Sequence, residues 1–142
     1  EEGADLSRVI FGHSDRIAGD MPLMLELLEH GVYIQFDLLG RVGVPLSVRP
    51  LRENNPAATY ASTDLVADAV PKLIKAGHAD RILLSQDVGT KLQYKRYGGT
   101  GYSFILEKFL PHLRSQGVEE ESIHMMMVEN PRRILTFSSP KF

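Results

Sequence analysis

At 142 residues the chain is long enough for one ordinary domain, and 16 Lys plus Arg against 18 Asp plus Glu leave a formal net charge of −2. That balance gives no electrostatic case for nucleic acid or an anionic membrane surface as a partner. Hydrophobic residues make up 43% and Cys is absent, which excludes disorder, disulfides and thiolate chemistry, so any metal would be held by His and carboxylate.

No apolar run approaches the ~20 residues that span a bilayer. The opening Glu1-Glu2-Gly3, with neither Met nor a basic leader, reads as the middle of a longer protein, expected to be cytoplasmic.

In chain order, Val9-Ile10-Phe11 is the first expected strand, running into Gly12-His13. A helix follows, N-capped by Asp20, with Pro22 in its first turn and Met21, Met24, Leu25 and Leu28 at i, i+3, i+4, i+7 spacing; His30 and Gly31 close it. Val32 to Phe36 is the second strand, running into Asp37. A long connection, Leu38 to Ala61, carries Gly40, Gly43, Pro45, Pro50 and Pro56 with Arg41, Arg49 and Arg52. Loops of that length are commonly lids or disordered.

The second helix runs from Ser62 or Thr63 to Gly77, its apolar face Leu65, Val66, Ala69, Val70, Leu73 and Ile74, with Pro71 expected to kink it or remove a hydrogen bond. Ile82 to Gln86 is the third strand, running into Asp87 and a glycine-rich loop, Gly89 to Gly101. A third helix is expected from a Ser103 cap to Gly117, with Pro111 inside. A short one covers Glu119 to Val128, broken by Asn130-Pro131, before a last turn over Arg132 to Leu135.

The apolar runs are continuous, not alternating, as in strands buried on both faces. Strands alternating with helices predict βαβ units and a parallel sheet. A closed barrel takes roughly 250 residues, so residues 1–142 are expected to form one partial domain that has lost, or pairs with, further strands.

Each expected strand ends in an ionisable residue: His13, Asp37 and Asp87. In a parallel barrel those ends converge on one face, where two carboxylates and an imidazole suit a divalent cation or metal-free acid–base work. Taken singly each has a plainer explanation, the His as a hydrogen-bonded structural residue and the Asp residues as turn formers. Gly98-Gly99-Thr100-Gly101 lacks the Gly-Lys-Ser/Thr of a phosphate loop; its glycines permit close packing. His30 and His78 sit at helix ends, His112 and His124 on helices, and Met125 to Met127 reads as core.

Taken together, Phe11-Gly12-His13-Ser14-Asp15-Arg16, Gln35-Phe36-Asp37, Ile82 to Asp87, Tyr97-Gly98-Gly99-Thr100-Gly101-Tyr102 and Val128 to Arg133 resemble, in the right order and over nearly the whole chain, the last three barrel strands of the phosphotriesterase-like metal-dependent hydrolases, on their phosphotriesterase-related branch. The resemblance implies an α/β fold, the C-terminal part (strands six to eight with their helices) of a (β/α)8 TIM barrel whose N-terminal half is absent. It implies a binuclear centre of two divalent cations, zinc foremost. His13 would ligate the more exposed ion. Asp87 would ligate the more buried one and take the proton of a bridging hydroxide. Asp37 would support the site or contact substrate. The organophosphate-degrading relatives carry a histidine and a second aspartate where this chain has Leu38 and Arg16. An ester, lactone or amide is thus expected ahead of a phosphotriester. The family's other ligands lie on strands outside this sequence.

The expected activity is metal-dependent hydrolysis of a small molecule by the completed barrel, the fragment alone being inactive. Arg41, Lys91, Arg96 and Tyr97 are candidate substrate contacts, with Arg49 and Lys95 as further cations. The expected partners are the substrate, the missing half-barrel and, as one possibility, a second copy in a homodimer, with no nucleic acid and no membrane. The alternatives are a catalytically incomplete half-barrel that serves as a binding module, and a metal-free barrel enzyme using Asp37 and Asp87.

Overall fold

A computed structural model of the chain describes residues 3–41 and 62–137. Among them three strands, β1 (Ile10–Phe11), β2 (Tyr33–Phe36) and β3 (Ile82–Leu84), form a parallel sheet in the order β1-β2-β3. Ile10 stands opposite Tyr33, and Ile34 opposite Ile82. The β2–β3 ladder closes with the Ser85 N–H donating to the Phe36 carbonyl at 2.8 Å. The chain is an α/β protein, as expected. Parallel pairing puts the carboxyl ends of all three strands on one edge.

Helix α1 (Met21–Glu29) begins where Asp20 accepts the Leu23 N–H, and Gly31 leaves it at a φ of +83°. Helix α2 (Thr63–Lys75) is capped by the Ser62 hydroxyl and buries Val66, Ala69, Val70 and Leu73 with Ala67. Pro71 sits inside it, so one backbone bond is forgone. These faces share one core with Ile34 and Phe36 of β2, while Tyr33, on the strand's other face, packs with Leu83 and Ile134; all three β2 residues are fully buried. No helix among the described residues is long and apolar enough to cross a membrane.

Three expectations change. Ile10 and Phe11 are 37% and 43% exposed, not buried on both faces. Edge position alone is not the reason, since β3 is an edge strand too and buries Ile82 and Leu83; what β1 lacks among the described residues is a layer over its faces. Ser103 opens the third helix with its carbonyl, which accepts the Glu107 N–H at 2.9 Å, and not through its hydroxyl. Asn130-Pro131 does not break the last helix: α4 (Glu120–His124), a wide π turn (Met125–Glu129) and α5 (Asn130–Leu135) are continuous. A second π turn (Ile105–Phe109) precedes α3 (Leu110–Ser115) and Pro111. Each proline follows directly on an i→i−5 bond, Leu110 to Ile105 and Asn130 to Met125. A proline ring clashes with the carbonyl four residues back; widening the turn ahead of it accommodates the ring without ending the helix.

Gly40, at a φ of +75°, lies so close to the Phe104 ring that a Cβ there would fall 2.5 Å from it. Its N–H donates to the Thr63 hydroxyl at 3.0 Å and its carbonyl accepts from Thr100 at 2.8 Å, tying the loop after β2 to α2 and to the glycine-rich loop. Gly40→Ala combines backbone strain with overpacking and is expected to destabilise the protein by about 2–4 kcal/mol in urea unfolding.

Candidate active site

The turn after β1 carries His13 in the left-handed region, φ 54°, before a single 3-10 turn over Ser14–Ile17. Its ring Nδ1 lies 2.7 Å from Asp37 Oδ1, and its peptide N–H donates to the same carboxylate at 3.1 Å. Asp37 follows β2 directly. Gln35, two residues earlier and so on the same face of the strand, donates from Nε2 to Asp37 Oδ2 at 2.8 Å. Gly12 gives the carboxylate room, since a Cβ there would be 3.4 Å from Oδ2. The Asp37 side chain is 9% exposed and that of His13 is 50% exposed. With Nδ1 committed to a carboxylate, the imidazole offers Nε2 as its free nitrogen, the arrangement that orients histidine ligands at metal sites.

Beneath this pair Asp15, 2% exposed, accepts the Asp37 peptide N–H at 2.8 Å. Burial pushes its carboxyl up from 3.8 to about 6; the Asp37 and Leu38 backbone N–H groups pull the other way, and the charge of Asp37 adds to the rise. Asp15 and Gln35 both stand in the quoted motifs, yet sequence reasoning assigned them no role. Gln35 could have been found from strand alternation; Asp15 needed the fold, because its partner is 22 residues away.

Asp87, three residues past β3, is also left-handed, φ 46°. Its carboxylate, 45% exposed, lies 3.4 Å from Arg41 Nη1. Its carbonyl accepts from Gln93 Nε2 at 3.1 Å, and Gln93 Oε1 accepts the Gly89 and Thr90 N–H groups at 2.9 and 2.8 Å, which fixes the loop on which Asp87 sits. The glycine-rich stretch serves this packing, as expected: a Cβ at Gly99 would fall 2.3 Å from the Gln93 backbone.

The structure thus joins His13 to Asp37 and Asp87 to Arg41. Lys91, Arg96 and Tyr97 form a separate cluster, both cations lying over the Tyr97 ring at 4.8 and 5.9 Å, and Lys95 pairs with Glu107 at 2.7 Å. Arg49 and Arg52, with Gly43, Pro45, Pro50 and Pro56, lie outside the described residues. Among the described residues no three His, Asp or Glu side chains gather tightly enough to enclose a metal ion. A lone imidazole nitrogen and an accessible carboxylate are each of the donor type that a borderline divalent cation takes, with its remaining donors drawn from elsewhere.

The model of the phosphotriesterase family matches residues 1–135. An N-acetyltaurine hydrolase of Dictyostelium discoideum is 35% identical over 136 residues, covering 96% of this chain and 35% of that protein. Among solved structures, a resiniferatoxin-binding protein from Rhodobacter sphaeroides superposes with a TM-score of 0.79 at 35% identity, over 94% of this chain and 35% of that one. A phosphotriesterase homology protein from Escherichia coli, complexed with phosphate in its active site, superposes with a TM-score of 0.78 at 28% identity, over 94% and 40%. The chain spans about a third of the length of the curated relatives it matches.

Proposed function

The chain belongs to the phosphotriesterase family, a family whose relatives here are hydrolases, and on that premise we propose that it supplies strands six to eight of a divalent-metal hydrolase barrel, with His13 and Asp87 as metal ligands. One observation carries this reading above the rest. Among the described residues the non-glycine positions with positive φ are His13 and Asp87, the two ligands that the motifs nominate. Such conformations cost about 1–3 kcal/mol and concentrate at functional sites. Both lie beyond the carboxyl ends of parallel strands, the catalytic face of barrels.

On this reading His13 would hold a cation through Nε2, with Asp37 gripping Nδ1 and fixing the ring. Asp87 would hold the second through its carboxylate and would accept the proton given up by the attacking water. The bound ions, zinc foremost, would acidify that water and polarise the scissile carbonyl or phosphoryl oxygen. The remaining ligands would come from strands that pair with the open edges of β1 and β3 and cover Leu6, Ile10 and Phe11, which are exposed here.

For substrate we propose a small N-acyl amide with an anionic end, as the name of the N-acetyltaurine hydrolases indicates for those relatives. Arg41 brings a guanidinium to Asp87, where it would neutralise such an anion. Lys91, Arg96 and Tyr97 form a second cationic patch on the neighbouring loop.

The test is metal analysis and amide hydrolysis by the protein in its full length. The expected outcome is bound zinc or a similar cation, hydrolysis of N-acetylated amino sulfonates or amino acids, loss of turnover on chelation, and recovery on adding Zn2+. Full activity in protein freed of metal would overturn the proposal.

A further inference from the structure

Building on the metal-site reading above, we propose that Asp15 is a positioning residue: by accepting the Asp37 peptide N–H it holds the turn after β2 so that Asp37 engages His13 at Nδ1 and leaves Nε2 to the cation.

The β1–β2 pairing ends at Phe11 opposite Ile34, because the chain turns away at Gly12 and enters the left-handed region at His13. The Asp37 N–H has therefore lost its β1 carbonyl partner. Asp15 supplies the acceptor instead, Oδ2 at 2.8 Å, from inside the turn that His13 opens.

The two strand ends are then braced reciprocally. The His13 N–H goes to the Asp37 carboxylate, and the Asp37 N–H goes to the Asp15 carboxylate. With Gln35 on Asp37 Oδ2 at 2.8 Å and His13 Nδ1 on Oδ1 at 2.7 Å, the Asp37 side chain has one orientation, and the imidazole inherits it. A carboxylate is costly to bury for packing alone, and Asp15 is almost wholly buried. Ligand groups work within about 0.5 Å of their productive geometry. Removing an outer partner of a metal-bound histidine weakens metal binding roughly 10- to 100-fold.

The experiment uses 15N NMR on the metal-free full-length protein, with Zn2+ titration beside it. In the wild type the His13 ring is expected protonated at Nδ1, and the Asp37 amide protected from hydrogen exchange. In Asp15→Ala the ring is expected to shift towards the Nε2–H form that imidazole prefers in water, and Zn2+ binding to weaken roughly 10- to 100-fold. Asp15→Asn, whose side-chain oxygen can still accept the Asp37 N–H, is expected to restore both. A purely structural role would lower stability and leave tautomer and affinity alone.

A folded Asp15→Ala protein with unchanged tautomer and Zn2+ affinity overturns the proposal. So does a freely exchanging Asp37 amide in the wild type, a measurement that needs no variant to fold. Should the wild type bind no Zn2+ while the tautomer still follows residue 15, the metal reading fails and the positioning role stands.

Discussion

Asp87→Gly is expected to abolish hydrolysis by the full-length protein while leaving it, compared metal-free with metal-free wild type, at least as stable. The activity loss should reach roughly a thousandfold or more, because the substitution removes a metal ligand and the proton acceptor together. The stability expectation has the opposite sign for a backbone reason. Asp87 holds a φ of 46°, a region open to glycine without penalty and costly for a side chain bearing Cβ.

Its carboxylate is exposed, and its ion pair with Arg41 spans 3.4 Å, so losing that pair costs little. The midpoint of urea unfolding should therefore stay level or rise by up to about 1 kcal/mol equivalent. Asp87→Asn separates the two effects, since it keeps the shape and the backbone and removes only the charge; activity should fall and stability should not move. Wild-type turnover in either variant would remove Asp87 from the chemistry. A large loss of stability in the glycine variant would mean that the residue serves the fold instead.

The largest effect on folding is expected at Asn130. It is fully buried, and its side-chain amide donates to the carbonyls of Ala79 and Ile82, each at 2.8 Å. Ala79 lies in the turn that leads into β3 and Ile82 is the strand's first residue, so a single side chain from α5 pins the start of the strand beyond whose other end Asp87 sits. Asn130→Ala takes the donor from a buried carbonyl, Ile82, at about 1–3 kcal/mol, and from a part-buried one, Ala79, at less, and opens a cavity in a fully buried site. The expected loss is about 3–5 kcal/mol in urea unfolding.

Asn130→Asp, nearly identical in shape, should be worse, because an acceptor-only group would face two carbonyl oxygens. Equal stability of the asparagine and aspartate forms would show that these bonds do not matter. Asn130 also explains why the Asn-Pro pair leaves the helix intact: the asparagine serves the strand, and the π turn ahead of it makes room for Pro131.

Much of this protein was legible one residue at a time. The helix starts at Asp20 and Ser62 and the left-handed exits at Gly31 and Gly77 follow from capping and from glycine's freedom, which act within one turn of chain. The parallel sheet followed from uninterrupted apolar runs separated by helical periods, and the family from motifs kept in order along the chain. Those features depend on near neighbours, and near neighbours are what a sequence displays.

Tertiary structure decided the rest. Nothing local says that Ile10 and Phe11 would be exposed, because exposure depends on which distant elements cover the faces of the strand. Nothing local says that Pro131 would continue a helix, because the widened turn ahead of it forms where the helix packs against β3. The site divides in the same way. His13, Asp37 and Asp87 could be named as strand-end residues, but their pairing could not. Asp37 meets His13 across 24 residues and Asp15 meets Asp37 across 22, and hydrogen bonds between such distant positions exist only once parallel pairing has brought the strand ends to one edge.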